Sequence, residues 1–252
     1  MKDRGIDSFG MTDVGLVRNI NQDSYLIRKS GDMGLFLVAD GMGGHSHGEV
    51  ASNELVVGIS RYWDALEKGK ENRKPFPQII KELANTITDI NREIYEKYNR
   101  DAVCGTTVVG LLVYEAYYAV ISVGDSRVYA YKGFKLRQLS FDDIWDNLPE
   151  VTESMSQEQI RMNENRGKLI HAVGVRPEVN VHSSTGKIEK NQQFIICSDG
   201  LYKYCSDDYI NKSFCIAFGG DKLQKIGKKL MEEVKKNGAK DNVTFILVAP
   251  NV

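Results

Sequence analysis

The sequence predicts an α+β fold in which helices flank antiparallel β-sheet, within one domain spanning residues 1–252. The first observation is a series of closely spaced segments between residues 105 and 139 that are rich in Val, Tyr, Thr and Ile. Links as short as Glu115-Ala116 permit only antiparallel neighbours, so we expect a β-meander and not a doubly wound parallel sheet, which needs long crossovers. The second observation is a set of amphipathic helical stretches before and after these strands.

The helical stretches have recognisable apolar faces and ends. Residues 49–66 form the first, Pro77 opens the second, and Ser206 is expected to cap a later one. The last helix is expected to stop at Gly238. The clearest apolar faces have helical spacing and comprise Leu83, Ile87, Ile90 and Ile94 in the second helix and Leu223, Ile226, Leu230 and Val234 in the last.

An apolar run next to an aspartate recurs along the chain. Residues 35–39 lead into Asp40-Gly41, and similar runs lead into Asp125 and into Asp199, whereas Asp241 precedes the run at residues 243–248. Short apolar runs of this length favour buried strands. In an antiparallel sheet the start of one strand lies at the rim where its neighbour ends, so we expect the four aspartates at one rim.

Several carboxylates at one rim predict a metal site. Like charges resist joint ionisation unless a cation lies among them. Oxygen ligands without cysteine favour magnesium, manganese or calcium over zinc. The alternative is that these are ordinary turn aspartates, since Asp-Gly is a common turn pair.

Composition excludes several other classes of function. The chain has 252 residues and a net charge of −1, so no strong field attracts nucleic acid or an anionic membrane. Its four cysteines form no CxxC pair and suggest reduced thiols in a cytoplasmic protein. The N-terminus shows no apolar signal core, and no apolar run is long enough to span a membrane.

Other catalytic motifs are missing from the sequence. The glycine loop at residues 41–46 lacks the third glycine of a dinucleotide site, and no P-loop lysine follows it. The pair His45 and His47 suggests a zinc hydrolase, but His171 and His182 are the only other histidines. The Gly-x-Ser-x-Gly pattern of a serine hydrolase is absent.

Two further features await a structural test. Arg18 is suited to grip two phosphate oxygens with its guanidinium group, although a surface arginine fits the pattern equally. Residues 140–170 are polar and acidic, and a segment of this length between strands is often a lid or a substrate-facing flap. The alternative is a solvated surface insertion.

The motifs together resemble the PPM, or type 2C, metal-dependent serine/threonine protein phosphatases, particularly the small bacterial branch. The resemblance covers nearly the whole chain, and six blocks in family order make it specific. The blocks are Arg18-Asn19-Ile20-Asn21-Gln22-Asp23, Val38-Ala39-Asp40-Gly41-Met42-Gly43-Gly44, Gly105-Thr106-Thr107, Val123-Gly124-Asp125-Ser126-Arg127, Ser198-Asp199-Gly200-Leu201 and Asp241-Asn242-Val243-Thr244.

The resemblance implies a fold and a set of residue roles. The implied fold is an αββα sandwich of two packed antiparallel β-sheets flanked by helices, with residues 140–170 as the flap. The implied roles are Asp40 bridging two metal ions, Gly41 lending its carbonyl to the second, Asp199 and Asp241 completing the first, Asp125 holding a third ion, Asp23 as a further metal residue and Arg18 binding phosphate.

The resemblance also implies a reaction. A metal-dependent phosphatase of this kind hydrolyses phosphoserine and phosphothreonine in proteins by direct attack of a water molecule that bridges the ions. The expected cofactors are two Mn²⁺ or Mg²⁺ ions, with a third as an option at Asp125. The expected partners are phosphorylated proteins and a cognate Ser/Thr kinase, and the expected form is a cytoplasmic monomer. The alternatives are a pseudophosphatase that binds phosphoproteins as a regulatory module and a purely structural domain.

The sequence departs from the family pattern at positions that bear on the chemistry. Gln22 stands where many relatives have a glutamate that contacts the second metal through water. Met42 replaces the histidine that animal relatives offer as general acid, so the proton donor to the leaving group is not assigned. Asp143 stands where a histidine is common at the start of the flap.

Overall fold

Two antiparallel sheets, each with helices on its outer face, form the layers of this chain, as a computed structural model shows. The structure describes residues 5–43, 47–69, 74–98, 103–216 and 221–251. One sheet has the strand order β1 (Ile6–Asp13), β11 (Val243–Pro250), β10 (Gln193–Cys197), β7 (Arg127–Lys132) and β8 (Lys135–Gln138). The other has the order β2 (Asp23–Ser30), β3 (Met33–Gly43), β5 (Val108–Tyr114), β6 (Tyr117–Val123) and β9 (His182–Lys187), with β4 (Cys104–Thr106) paired to β3.

The structure describes seven α-helices, the four longest of which pack on the outer faces of the sheets. The described helices are α1 (His47–Lys68), α2 (Phe76–Tyr98), α3 (Pro149–Ser154), α4 (Gln157–Met162), α5 (Asp199–Tyr202), α6 (Asp207–Ile216) and α7 (Lys222–Lys236), with a 3-10 turn at Trp145–Asn147. No helix in these described ranges has the length and apolar character that crossing a membrane requires.

Three apolar clusters hold the layers together. Side chains such as Phe36, Phe194 and Ile246 come from both sheets and fill the space between them. A second cluster packs α1 and α2 on the sheet that contains β3, and a third packs α6 and α7 on the sheet that contains β11. The α+β sandwich of two packed antiparallel sheets is therefore confirmed.

Most of the expected elements are present. Leu83, Ile87, Ile90 and Ile94 are all buried along α2, and the Ser206 hydroxyl accepts a hydrogen bond from the Tyr209 amide to cap α6. The last helix gives way to a glycine with positive φ, Gly238, as its sequence predicts. No disulfide joins the four cysteines, all of which are described. Residues 67–77 are charged and contain two prolines, which favours an exposed loop, and they lie partly outside the described residues. The glycine loop also lies partly outside them, as do His45 and the side chain of His47.

The expectation of one continuous β-meander is wrong. β5 pairs with β6, and β7 pairs with β8, but β6 and β7 belong to different sheets. The chain crosses between the sheets at residues 124–126, where Gly124 adopts a φ of +100° that favours glycine. The short link between β6 and β7 indicates a tight connection, but its length does not distinguish a hairpin from a change of sheet. The sequence also favours a strand near residues 179–183, but the strand of this region, β9, begins later, at His182. Helix α3 was not predicted.

Asn242 joins the two sheets at the edge where β2 and β11 begin. Its side-chain oxygen accepts a hydrogen bond from the Gln22 amide at 2.9 Å, and its amide nitrogen donates to the carbonyls of Val14 and Ile20, also at 2.9 Å. The side chain is buried, so these backbone groups have little access to water as substitute partners. Asn242 therefore fixes the loop at residues 14–22.

We predict that Asn242→Ala lowers the free energy of unfolding by about 3 kcal/mol, because it leaves buried backbone groups without partners. Urea denaturation followed by circular dichroism measures the change. The control is Asn237→Ala, which removes an exposed amide that donates to the Tyr204 carbonyl and should cost about 1 kcal/mol or less. Equal losses for the two variants would contradict the clamping role.

Candidate metal centre

A cavity of about 340 Å³ opens at this edge of the two sheets. Asp40 comes from β3, Asp125 from the crossing between the sheets, Asp199 from α5, and Asp241 from the residues before β11. The structure therefore brings the four predicted aspartates to one cavity. Its other lining residues are Arg18, Gln22, Gly41, Met42, Gly43, Thr107, Gly167, Leu169, Lys203 and Asn242.

The backbone at Asp40 is fixed by a pair of threonines. The Asp40 amide donates to the Thr107 hydroxyl at 3.1 Å, and the Asp40 carbonyl accepts from the Thr107 amide at 2.8 Å and the Thr106 hydroxyl at 3.0 Å. The next residue must be glycine, because a Cβ on Gly41 would lie 2.1 Å from the Gly48 carbonyl oxygen of α1. The close packing of β3 on α1 thus sets the position of the Asp40 carboxylate.

The turn that carries Asp125 is tied to the same threonine pair. The hydroxyls of Thr107 and Ser126 are hydrogen-bonded at 2.7 Å. A Cβ on Gly124 would lie 2.7 Å from the Thr107 side chain, so a larger residue would push the turn away. On the other side, the Tyr202 hydroxyl donates to the Asp125 carbonyl at 3.0 Å. Asp40 and Asp125 are consequently held by one hydrogen-bonded network.

Asp199 opens the single turn of α5. Gly200 packs against the residues before β11, where an added Cβ would lie 1.9 Å from the Asn242 carbonyl oxygen. This close approach brings Asp199 beside Asp241. One turn further along, the ammonium of Lys203 forms an ion pair with Asp199 Oδ2, while Asp199 Oδ1 is buried and accepts no hydrogen bond.

Arg18 faces the cavity and pairs with Asp241. Its Nε lies 2.9 Å from Oδ1 and its Nη2 lies 3.1 Å from Oδ2, which is a bidentate arrangement. The arginine side chain is about half exposed. The loop that carries Arg18 is fixed further by the Leu16 amide, which donates to the Ala239 carbonyl at 2.7 Å.

Burial and neighbouring carboxylates make two of the cavity aspartates, Asp40 and Asp125, difficult to ionise. Burial, followed by repulsion from Asp23, Asp199, Asp125 and Asp241, raises the pKa of Asp40 well above its ordinary value. Burial and the charge on Asp199 likewise raise the pKa of Asp125 to about 6, although Lys203 opposes the shift. The edge therefore concentrates negative charge that its own cations do not neutralise.

Asp23 lies behind the cavity and does not line it. It pairs with Asp40 in the β2–β3 register, and its Oδ2 accepts a hydrogen bond from the Ser198 hydroxyl at 2.8 Å. Its Oδ1 is buried without a hydrogen-bond partner. Burial raises the pKa of Asp23 to about 7, with hydrogen bonds from Thr244 and Ser198 acting in the opposite direction. The predicted metal role of Asp23 stays a prediction.

The donor set fits a hard divalent cation. The available donors are mainly carboxylate oxygens, which such a cation prefers. A bound cation would give Asp199 Oδ1 a partner and would offset the burial and repulsion that raise the pKa of Asp40. The side chains as they stand are not gathered around one point: within the described ranges, no three His, Cys, Asp or Glu side chains are arranged to hold an ion. Asp199 and Asp241 are instead turned to Lys203 and Arg18. Metal binding thus requires Asp241 to release Arg18, whereas Asp199 can offer its unpartnered Oδ1 while its Oδ2 stays paired with Lys203.

The segment at residues 140–170 reaches the cavity through Gly167 and Leu169. Its base is attached to the Asp125 turn by Asp143, whose amide donates to the Gly124 carbonyl and whose Oδ2 accepts from the Gly124 amide, both at 2.9 Å. His182 Nε2 lies 2.8 Å from the other carboxylate oxygen of Asp143. Asp143 therefore anchors this segment.

Sequence reasoning missed some groups that shape the site. Lys203 was not singled out, although its position four residues after Asp199 places it on the same side of a helical turn. The role of Ser198 as the donor to Asp23 has no signal in the sequence, since it depends on how β2 lies against β10 and β11. Asn242 was part of a quoted motif, but its clamping of the 14–22 loop was not foreseen.

Comparison with known proteins agrees with this arrangement. A family model described as protein phosphatase 2C matches residues 17–247. The serine/threonine phosphatase stp of Listeria monocytogenes is 29% identical over 244 residues, covering 94% of this chain and 93% of that protein. The serine/threonine protein phosphatase PstP of Mycobacterium tuberculosis is 26% identical over 239 residues, covering 94% of this chain and 43% of that protein.

A solved structure has the same fold. The crystal structure of the serine/threonine phosphatase Stp1 from Staphylococcus aureus superimposes with a TM-score of 0.84 at 28% identity, covering 98% of this chain and 96% of that one. Because the family model spans most of the sequence and the fold agrees throughout, the chain belongs to the protein phosphatase 2C family.

Proposed function

We propose that this chain is a metal-dependent protein phosphatase that hydrolyses phosphoserine and phosphothreonine. The observation that carries the proposal is the convergence of Asp40, Asp199 and Asp241 with Arg18 on one cavity. The family membership and the names of the relatives support the same reaction.

In this proposal the carboxylates hold two Mn²⁺ or Mg²⁺ ions. Asp40 would bridge them, Asp199 and Asp241 would complete the first, and the carbonyl of Gly41 would serve the second, with Asp125 available to a further cation. When bound, the ions supply the Lewis acidity that makes a water molecule nucleophilic near neutral pH. Carboxylates that are costly to ionise alone are well suited to this task, because a cation removes the cost.

Arg18 would bind the phosphate group of the substrate. Its guanidinium already presents two donors to the oxygens of Asp241, and a phosphate offers the same spacing of acceptors. Binding of phosphate would therefore transfer Arg18 from Asp241 to the substrate and leave Asp241 free for a cation. Arg18 then stabilises the negative charge that grows on the phosphoryl oxygens in the transition state.

The cellular setting follows from the reaction. The substrates would be phosphorylated proteins, made by a cognate Ser/Thr kinase, and we infer that the chain acts in the cytoplasm as a monomer. The alternative of a pseudophosphatase would keep phosphoprotein binding without turnover. Retention of all the cavity aspartates favours an active enzyme over that alternative.

We predict that Asp40→Asn abolishes manganese-dependent hydrolysis of a phosphothreonine peptide while the fold is kept. The reason is that the variant removes the carboxylate that would hold both ions. Phosphate release measures activity, and circular dichroism measures folding. The matched control is Asp89→Asn, an exposed position on α2 that should retain wild-type activity. Wild-type turnover in excess chelator, or full activity of Asp40→Asn, would refute a metal-dependent reaction at this cavity.

We predict that Arg18→Met lowers kcat/KM for the phosphopeptide about 10- to 100-fold, the loss that charge-assisted hydrogen bonds to phosphate imply. Arg18→Lys should recover only part of it, because an ammonium group cannot bind two oxygens in the same fork geometry. Arg18→Met should also tighten manganese binding, since Asp241 loses its competing partner. The control is Arg92→Met, which removes an exposed arginine on α2. Unchanged kcat/KM in Arg18→Met would exclude the phosphate-binding role.

We predict that stability without metal falls as pH rises. The pKa of Asp125 is raised to about 6 in the folded chain, against about 4 when unfolded, so the folded state binds more protons between these values. The contribution of Asp125 to the free energy of unfolding in chelator is therefore most favourable below about pH 4, and it becomes less favourable until about pH 6 to 7.

Denaturation in urea across this pH range, with and without manganese, tests the prediction. At pH 8 in chelator, the free energy of unfolding of Asp125→Asn should exceed that of wild type by about 1–3 kcal/mol, and the difference should vanish near pH 4. Manganese should offset the loss in wild type by binding the folded state. A metal-free wild type that gains stability from pH 4 to pH 7 relative to Asp125→Asn would contradict the assigned shift.

A further inference from the structure

Lys203 is a cation built into the carboxylate cavity. It lines the cavity with Asp40, Asp125 and Asp199, and its ammonium forms an ion pair with Asp199 Oδ2. About half of the lysine side chain is exposed, whereas Asp199 is largely buried. The partner of Lys203 is thus a proposed metal ligand and not a surface carboxylate.

The charge of Lys203 acts on more than one carboxylate. Burial acts to lower the pKa of Lys203, but attraction to Asp199, and then to Asp125 and Asp40, raises that pKa overall. The relation is mutual, because Lys203 is the cation that most favours the ionised form of Asp125. Its ammonium therefore neutralises part of the charge of two carboxylates, Asp199 and Asp125, that line the same cavity.

Local structure holds the lysine in this place. Asp199 and Lys203 are separated by one helical turn, which puts the two side chains on the same face of α5 and the residue that follows it. The neighbouring Tyr202 donates its hydroxyl to the Asp125 carbonyl at 3.0 Å. The guanidinium of Arg127 lies 3.7 Å from the centre of the Tyr202 ring and is itself bound to Asp142. One turn of chain therefore fixes Asp199, Asp125 and Lys203 relative to one another.

We propose that the Lys203 ammonium takes the place of a third divalent cation between Asp199 and Asp125, so that this chain binds two metal ions. The inference rests on the proposed function, because it presumes that the other carboxylates bind metal. A lysine supplies one positive charge without a coordination shell, and it repels a divalent ion that approaches the same carboxylates. Lys203 is then a positioning residue that neutralises Asp125 and orients Asp199 toward the first ion.

A count of bound manganese ions tests the inference without relying on turnover. Free Mn²⁺ is followed by its electron paramagnetic resonance signal while manganese is added into the millimolar range to wild type, Lys203→Met and Lys203→Gln. We expect two ions per wild-type chain. Each neutral variant should bind a third ion at least about tenfold more tightly than wild type does, since a like charge within a few ångström is removed.

Two further variants locate the third ion and control for charge. In Lys203→Met combined with Asp125→Asn the third ion should be lost, whereas Asp125→Asn alone should leave two. Lys236→Met, which removes an exposed lysine on α7, should bind manganese as wild type does. Circular dichroism confirms the fold of each variant, and Lys203→Gln replaces Lys203→Met where the latter does not fold.

The outcomes separate this inference from the function on which it rests. Three ions of equal affinity in wild type and both neutral variants would overturn the role of Lys203 and leave the metal-dependent function standing. A third ion that persists in the double variant would also overturn it, because the ion would then lie elsewhere. Absence of any manganese binding to wild type would overturn the proposed function and this inference together.

Discussion

Repulsion among buried carboxylates is the constraint on which this structure depends. Asp40 and Asp125 lie at one sheet edge with raised pKa values, and Asp23 lies directly behind them. Such a cluster is unfavourable when ionised, so the surrounding fold must hold it in place. Hydrogen bonds between the Asp40 backbone and the two threonines, Thr106 and Thr107, hold Asp40 in place. The hydrogen bond between the Thr107 and Ser126 hydroxyls extends this network to the turn that carries Asp125.

The cations at the edge divide into two kinds. Arg18 reaches the cavity from a loop, is half exposed and shares its two donors with Asp241, so a phosphate can compete for it. Lys203 reaches it from a helical turn that also carries Asp199 and holds Asp125 through Tyr202. The first cation can change partners during a reaction, whereas the second is tied to the ligands themselves. This difference between the two cations arises because Arg18 is on a loop, whereas Lys203 directly follows α5.

Much of this arrangement could be predicted from the sequence, because strand ends leave a strong signal. The apolar runs before Asp40 and Asp199 and after Asp241 marked both the strands and the shared edge. The change of sheet at Gly124 could not be predicted, since a short link allows a hairpin as well as a crossing. The position of Lys203 in the cavity could not be predicted either, because it depends on the single turn of α5, which has too few residues to show a periodic pattern.

The 140–170 segment is firmly attached next to Asp125. Its base is joined to the Asp125 turn by hydrogen bonds in both directions between Asp143 and Gly124, and Asp143 is almost completely buried. Breaking these bonds would leave buried groups unsatisfied at about 1–3 kcal/mol each. Gly167 and Leu169 line the cavity and are bound to the start of the same segment. Leu169 forms a β-bridge with Ile144, and the Gly167 amide donates to Asp146 Oδ1 at 2.7 Å. The Ile170 amide also donates to the Asp143 carbonyl at 2.9 Å, so the residues that line the cavity and the Asp125 turn are attached to the same residue. A displacement of these lining residues would have to break several backbone hydrogen bonds, and the segment therefore holds its place beside Asp125 as one unit.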